Sequence, residues 1–183
     1  IYDVKCTGHL HHVIEEAGGK AMMYKTGHSL IKNKMKEVNA PFAGEMSGHF
    51  FFKERWYGFD CGIYSACRLL EILATDERDP QELLSALPNS ISTPELKLEM
   101  KEGENHAFIA EMQDKARFVD ARITTIDGVR ADFIDGWGLV RASNTTPILV
   151  LRFEADTEEA LQRIKDTFRQ QMLAINNELR MPF

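Results

Sequence analysis

Residues 119–153 read VDARITTIDGVRADFIDGWGLVRASNTTPILVLRF, and this stretch decides the fold of the second half of the chain. Val119, Ala121, Ile123 and Thr125 alternate with other residues at the two-residue period of a half-exposed strand. Asp127-Gly128 is a strong hairpin signal, because glycine accepts the positive φ that a tight turn between antiparallel strands demands. Val129, Ala131 and Phe133 continue as the return strand, and Ile148–Phe153 is the most apolar strand of this half. A polar loop, Arg141–Pro147, lies between two strands.

Upstream, Leu96, Leu98 and Met100 alternate with charged residues as a half-exposed strand should. Phe108, Ile109, Met112 and Ala116 have helical spacing. Downstream, Asp156 and Glu159 open a long helix whose buried stripe is Leu161, Ile164, Phe168, Met172 and Ile175. Residues 89–183 thus predict a small α+β domain, a mostly antiparallel sheet covered by two helices.

A boundary falls at Leu87-Pro88-Asn89-Ser90, where proline and small polar residues collect. Before it, residues 1–88 alternate strand and helix signals, the pattern of a mixed-sheet α/β domain. Ile1–Cys6, Lys20–Lys25, Phe42–Glu45 and Phe50–Lys53 read as strands. Helices are expected over Gly8–Ala17, ended by Gly18-Gly19, and over Ser29–Val38. A longer helix capped by Asp60 would bury Ile63, Ala66, Leu70 and Leu73. Asp79-Pro80-Gln81-Glu82 combines an N-cap, a first-turn proline and a capping-box glutamate, so a short helix follows.

The 183 residues carry a net charge of −6, which argues against general nucleic-acid binding but leaves room for a local basic pocket. Three cysteines without CxxC or zinc-ligand spacing fit a reducing, cytoplasmic setting better than a disulfide framework. No apolar run approaches the ~18 residues of a membrane span. The chain opens at Ile1-Tyr2-Asp3-Val4-Lys5 inside a strand-like run and without an initiating methionine, as the interior of a longer protein would.

Two loops carry the chemistry. Gly44-Glu45-Met46-Ser47-Gly48-His49 sets a carboxylate, a hydroxyl and an imidazole at alternate positions between two apolar strands. That is a donor and acceptor set for a polyhydroxylated ligand, and equally an ordinary polar turn. A metal reading of Glu45 and His49 lacks a third ligand. Arg141-Ala142-Ser143-Asn144-Thr145-Thr146-Pro147 can wrap an anion with hydroxyl, amide and backbone donors, and Arg141 adds a charged fork suited to phosphate. It also reads as a solvated turn with Arg141 paired to a carboxylate.

In this order and separation, GEMSGH and RASNTTP resemble the α-D-phosphohexomutases, and the likeness runs over essentially the whole chain. DVKCT, KTGHS, FFKERWYGFD, IDGVR and DGWGLVRASNTTP are similar to the bacterial phosphomannomutase/phosphoglucomutase branch. The resemblance implies most of the third of four domains, residues 1–88, followed by the complete fourth, residues 89–183. It implies that Glu45 and Ser47 bind the sugar hydroxyls, that His49 supports that loop, and that Lys5 and His28 line the cleft near the sugar. It assigns Arg141, Ser143, Asn144, Thr145 and Thr146 to the phosphate. The implied reaction interconverts hexose 1-phosphate and hexose 6-phosphate, of mannose or glucose, by way of a phosphoserine and a hexose 1,6-bisphosphate, with Mg²⁺.

The nucleophilic serine loop and the metal loop of that family are not in this sequence. Asp127-Gly128-Val129-Arg130 echoes the metal loop but has one aspartate where three are needed. The chain by itself is therefore expected to be inactive and to hold no metal, its catalytic partners being N-terminal domains of the same protein. The aminosugar branch, phosphoglucosamine mutase, is disfavoured by Met46 and by the Ser143-Asn144-Thr145 run, and a stand-alone sugar-phosphate-binding module is the reading outside the enzyme class. Gly8-His9 stands where the branch resembled would have a basic residue, so no cleft role is assigned there. His9, His11 and His12 read as solvated helix surface, Lys32, Lys34 and Lys36 as a solvated helix face, and Trp56 and Trp137 as packing residues.

Overall fold

The computed structural model describes residues 1–183 and divides them into two compact units, Ile1–Asn89 and Ser90–Phe183. In the first unit the strands are β1 (Tyr2–Asp3), β2 (Met23–Tyr24), β3 (Phe42–Gly44) and β4 (Phe50–Phe52). They form one mixed sheet in the order β2-β1-β3-β4, with β1 parallel to β2 and β3, and β3 and β4 an antiparallel hairpin. Helices α1 (His9–Glu16) and α2 (His28–Val38) make the two crossovers. Since those crossovers run in opposite directions across the sheet, right-handedness puts the helices on opposite faces. Ile31 and Met35 of α2 pack on Ala43 and Phe51, forming the small core of this unit.

Three expectations for this unit need correction. The first strand is shorter than Ile1–Cys6: the backbone turns after Asp3, where the Cys6 amide donates to the Asp3 carbonyl oxygen at 3.1 Å. The helix after residue 60, α3 (Gly62–Thr75), is capped by Cys61 without a side-chain bond, because the Asp60 carboxylate is engaged elsewhere. Of the stripe read as buried, Ile63, Ala66 and Leu70 are exposed, Ile63 at 81% and Leu70 at 63% accessibility, and Leu73 is half-buried. α3 instead lays Tyr64 and Arg68 against Phe52, with the Arg68 guanidinium 4.7 Å from that ring centre. Helix α4 (Pro80–Ser85) has the expected capping box between Asp79 and Glu82.

The second unit is built on an antiparallel sheet of β5 (Ile91–Ser92), β6 (Leu96–Glu99), β7 (Arg122–Thr124), β8 (Val129–Phe133), β9 (Gly136–Ala142) and β10 (Ile148–Ala155). Its order is β5-β10-β9-β8-β7, with β6 also paired to β10. β5 and β6 lie end to end along β10, interrupted around Pro94, which has no amide proton to give. Gly128 turns the β7–β8 hairpin at φ +86°, and a Cβ there would lie 2.2 Å from the Val140 carbonyl oxygen, so no other residue fits. Helices α5 (Glu104–Lys115) and α6 (Glu158–Ile175) bury Phe108, Ile109, Met112, Leu161, Ile164, Phe168 and Met172 against Leu149, Leu151 and Phe153. Thr157, rather than Asp156, caps α6 by accepting from the Ala160 amide at 3.1 Å. The two units thus have the α/β and α+β character read from the sequence.

Candidate functional site

In the first unit the residues following β1, β2 and β3 are the turns DVKCT, KTGHS and GEMSGH. These strands are parallel neighbours, so all three turns emerge at the same edge of the sheet, where open α/β sheets collect ligand contacts. Asp3 ties two of them together. Its carboxylate is fully buried; Oδ1 accepts from the Lys5 amide at 2.8 Å and Oδ2 from the Met46 amide at 3.3 Å. Burial pushes that carboxyl up from its ordinary range, while the charge of Lys5 and the amide bonds from Lys5 and Met46 draw it part of the way back. Lys5 itself is buried in this turn.

Glu45 joins the second and third turns. Its Oε1 accepts from the Gly27 amide at 2.9 Å, at the positive end of α2, and its Oε2 accepts from the Ser47 hydroxyl at 3.1 Å. The loop closes on itself through the Glu45 amide to the His49 carbonyl oxygen, 2.8 Å, and the Gly48 amide to the Glu45 carbonyl oxygen, 2.9 Å. His28, the first residue of α2, stacks on His49 with ring centres 6.3 Å apart. His49 Nδ1 lies 3.0 Å from Asp60 Oδ2, and Lys32 Nζ approaches the other oxygen of Asp60 at 3.8 Å. Partial desolvation pushes the Asp60 carboxyl up, but hydrogen bonds from its own backbone and from His49, with the charge of Lys32, outweigh that and hold it below its ordinary range. Lys5, His28, Glu45, Ser47 and His49 therefore lie in turns at one edge of the sheet, which Asp3 links through the Lys5 and Met46 amides and Asp60 through His49; neither aspartate is a site residue in the sequence reading.

In the second unit the 143–147 loop joins β9 to β10. The Ser143 hydroxyl lies 3.0 Å from the Thr146 hydroxyl and accepts from the Thr145 amide at 3.3 Å, while the Ser143 amide donates to the Ile148 carbonyl oxygen at 3.0 Å. Asn105, buried on α5, braces the loop from below: its Nδ2 donates to the carbonyl oxygens of Ser143, Thr146 and Ile148 at 3.1, 3.3 and 3.4 Å. Asn144, Thr145 and Thr146 remain exposed, and Ser143 to Pro147 line a cavity of about 140 Å³ with Asn105 and His106.

Arg141 is buried and its Nε donates to Asp127 at 3.0 Å, the carboxylate pairing left open by the sequence. Its two Nη groups have no partner in the chain. It does not line the cavity beside Ser143–Pro147. The single acidic residue of the 127–130 stretch is thus committed to an arginine, and no three His, Cys, Asp or Glu side chains cluster as a metal would need. The residues present do not fit a divalent ion. Trp56 stacks on Tyr64 at 4.3 Å, and buried Trp137 lies under the Arg130 guanidinium at 3.8 Å, so both indoles pack. No helix is long and apolar enough to cross a membrane.

Residues 1–91 match the model of phosphoglucomutase/phosphomannomutase alpha/beta/alpha domain III, and residues 95–171 that of the C-terminal domain of phosphoglucomutase/phosphomannomutase. A phosphomannomutase/phosphoglucomutase of Pseudomonas aeruginosa is 60% identical over all 183 residues, which span 40% of that protein. A phosphoglucomutase of Neisseria gonorrhoeae is 58% identical over 171 residues, 92% of this chain and 37% of its own length. The crystal structure of a phosphoglucomutase/phosphomannomutase family protein from Burkholderia thailandensis superposes with a TM-score of 0.93 at 52% identity, covering 100% of this chain and 38% of that one.

Proposed function

The chain belongs to the phosphoglucomutase/phosphomannomutase family, and on that premise we propose that its two units supply the sugar and phosphate contacts of a hexose-phosphate mutase. The observation that carries this reading is the preset Glu45. A buried carboxylate already oriented by the Gly27 amide and the Ser47 hydroxyl keeps lone pairs for ligand hydroxyls without reorganising. Glu45 and Ser47 bind hydroxyls of the hexose, His49 supports them, and Lys5 and His28 line the same edge. Arg141, through its Nη groups, and Ser143, Asn144, Thr145 and Thr146 hold the phosphate remote from the reacting end.

Residues 1–88 serve as part of the third domain of the whole enzyme and residues 89–183 as its fourth. That enzyme interconverts the 1- and 6-phosphates of mannose or glucose through a phosphoserine and a hexose 1,6-bisphosphate, in the cytoplasm. Positioning and charge stabilisation dominate phosphoryl transfer, so a sugar-reading loop and a phosphate loop are parts that such a reaction requires. The phosphoserine, and the magnesium ion implied for the family, are placed outside these 183 residues. Purified chain is accordingly expected to show no mutase turnover in a coupled assay, and turnover surviving removal of host mutase would overturn that assignment.

Binding is tested by NMR titration of the chain with mannose 1-phosphate, glucosamine 1-phosphate and inorganic phosphate. Mannose 1-phosphate is expected to bind at roughly millimolar affinity, about −4 kcal/mol, and to move the amides of 45–49 and 141–146. Arg141→Lys keeps a charge beside Asp127 but loses the fork, and should weaken phosphate binding about tenfold while leaving the 45–49 shifts in place. Shifts at neither loop would sink the assignment of both, and tighter binding of glucosamine 1-phosphate would favour the aminosugar branch.

A further inference from the structure

Asp60 stands immediately before the N-cap of α3, yet its carboxylate makes no capping bond to that helix. It turns instead to the loop between β3 and β4, with Oδ2 3.0 Å from His49 Nδ1. Its backbone is fixed there by a β-bridge to Phe51, a fully buried core residue two positions after His49. Its other oxygen faces Lys32, from α2, at 3.8 Å. Two other elements thus converge on this carboxylate while a third pins its backbone, and the imidazole it holds belongs to the residue whose carbonyl oxygen closes the 45–49 loop. The charged and titratable groups around His49 are Asp60 and, behind it, Lys32; His28, stacked on the ring; and Glu45, in its own loop.

We propose that Asp60 is a positioning residue for His49, fixing the imidazole proton on Nδ1 so that Nε2 presents a lone pair to a sugar hydroxyl. This rests on the reading of residues 45–49 as the sugar loop. A carboxylate can only accept, so the ring nitrogen facing it must carry the hydrogen; the neutral ring then has its acceptor at Nε2. Nε2 has no partner within the chain, and the ring is half exposed. The role of Lys32 is to keep Asp60 ionised, which preserves it as an acceptor.

Long-range ¹H–¹⁵N correlation of the imidazole rings in the 183-residue chain reads the tautomer directly, above the pH at which imidazoles titrate. Wild-type His49 is expected to carry its proton on Nδ1. Asp60→Asn, which can offer an amide N–H to that nitrogen, should move most of the population to Nε2–H, and Lys32→Met should leave it on Nδ1. Mannose 1-phosphate should shift the His49 Nε2 resonance in the wild type, and its dissociation constant should rise about threefold in Asp60→Asn. A wild-type ring protonated on Nε2 overturns the proposal without recourse to any variant, as does a tautomer that ignores Asp60→Asn. Should the tautomer respond as expected while mannose 1-phosphate moves neither protein, the sugar-loop reading fails and only the Asp60–His49 pair stands.

Discussion

Asp127→Ala is expected to destabilise the second unit by about 3–5 kcal/mol, because it leaves the guanidinium of Arg141 buried without its counter-charge. The side chains of both partners are largely shielded, 7% and 13% accessible, so solvent screening does little to soften the loss. The exchange protection of the β9 and β10 amides and the denaturation midpoint reported by buried Trp137 would measure it. A loss below about 1 kcal/mol would mean that the pair behaves as a surface ion pair and contributes little. Removing both charges separates stability from function: Asp127→Leu combined with Arg141→Met should restore most of the stability. It should restore none of the phosphate binding. Recovery of binding in that double variant would remove Arg141 from the phosphate site.

Phe168→Ala should cost a comparable amount, about 3–5 kcal/mol, through lost burial and the cavity left behind. Phe168 is wholly buried, with its ring 4.6 Å from that of Phe118 and 5.4 Å from that of Phe153. It lies directly over Gly138, where a Cβ would come within 2.4 Å of the ring. The missing side chain of Gly138 is therefore the space that Phe168 fills, and the two positions are coupled. Gly138→Ala should destabilise the wild type and cost much less in Phe168→Ala, where only the Phe153 ring, 2.9 Å from the added methyl, still has to give way. Denaturant unfolding of the four proteins closes that cycle. Additive effects of the two changes would show that the ring and the glycine do not share one space.

Much of the fold was readable because periodicity is local. The alternation of residues 129–133, the i, i+3, i+4 stripe of α6 and the Asp79–Glu82 capping box each depend on neighbours within a turn or two, and each appears where expected. The same reasoning failed on α3. Its apolar stripe was legible, but the side that packs carries Tyr64 and Arg68 and was selected by Phe52, on a strand ten residues earlier. β9 is also hard to read, since Gly136 and Gly138 interrupt its alternation to let Ala155 and Phe168 approach.

The sequence by itself determined the types and order of the elements, the two chemically distinctive loops and the resemblance those loops carry. Only the tertiary structure decided what holds them. Asp3 reaches Met46 across 43 positions, Asn105 reaches the 143–148 loop across 38 to 43, and Asp60 chooses His49 over the helix beside it. An isolated aspartate or asparagine in a sequence has several possible partners, and hydrogen bonding is a short-range, directional force. Which partner it takes is fixed only when burial brings two distant segments together and penalises leaving either group unsatisfied.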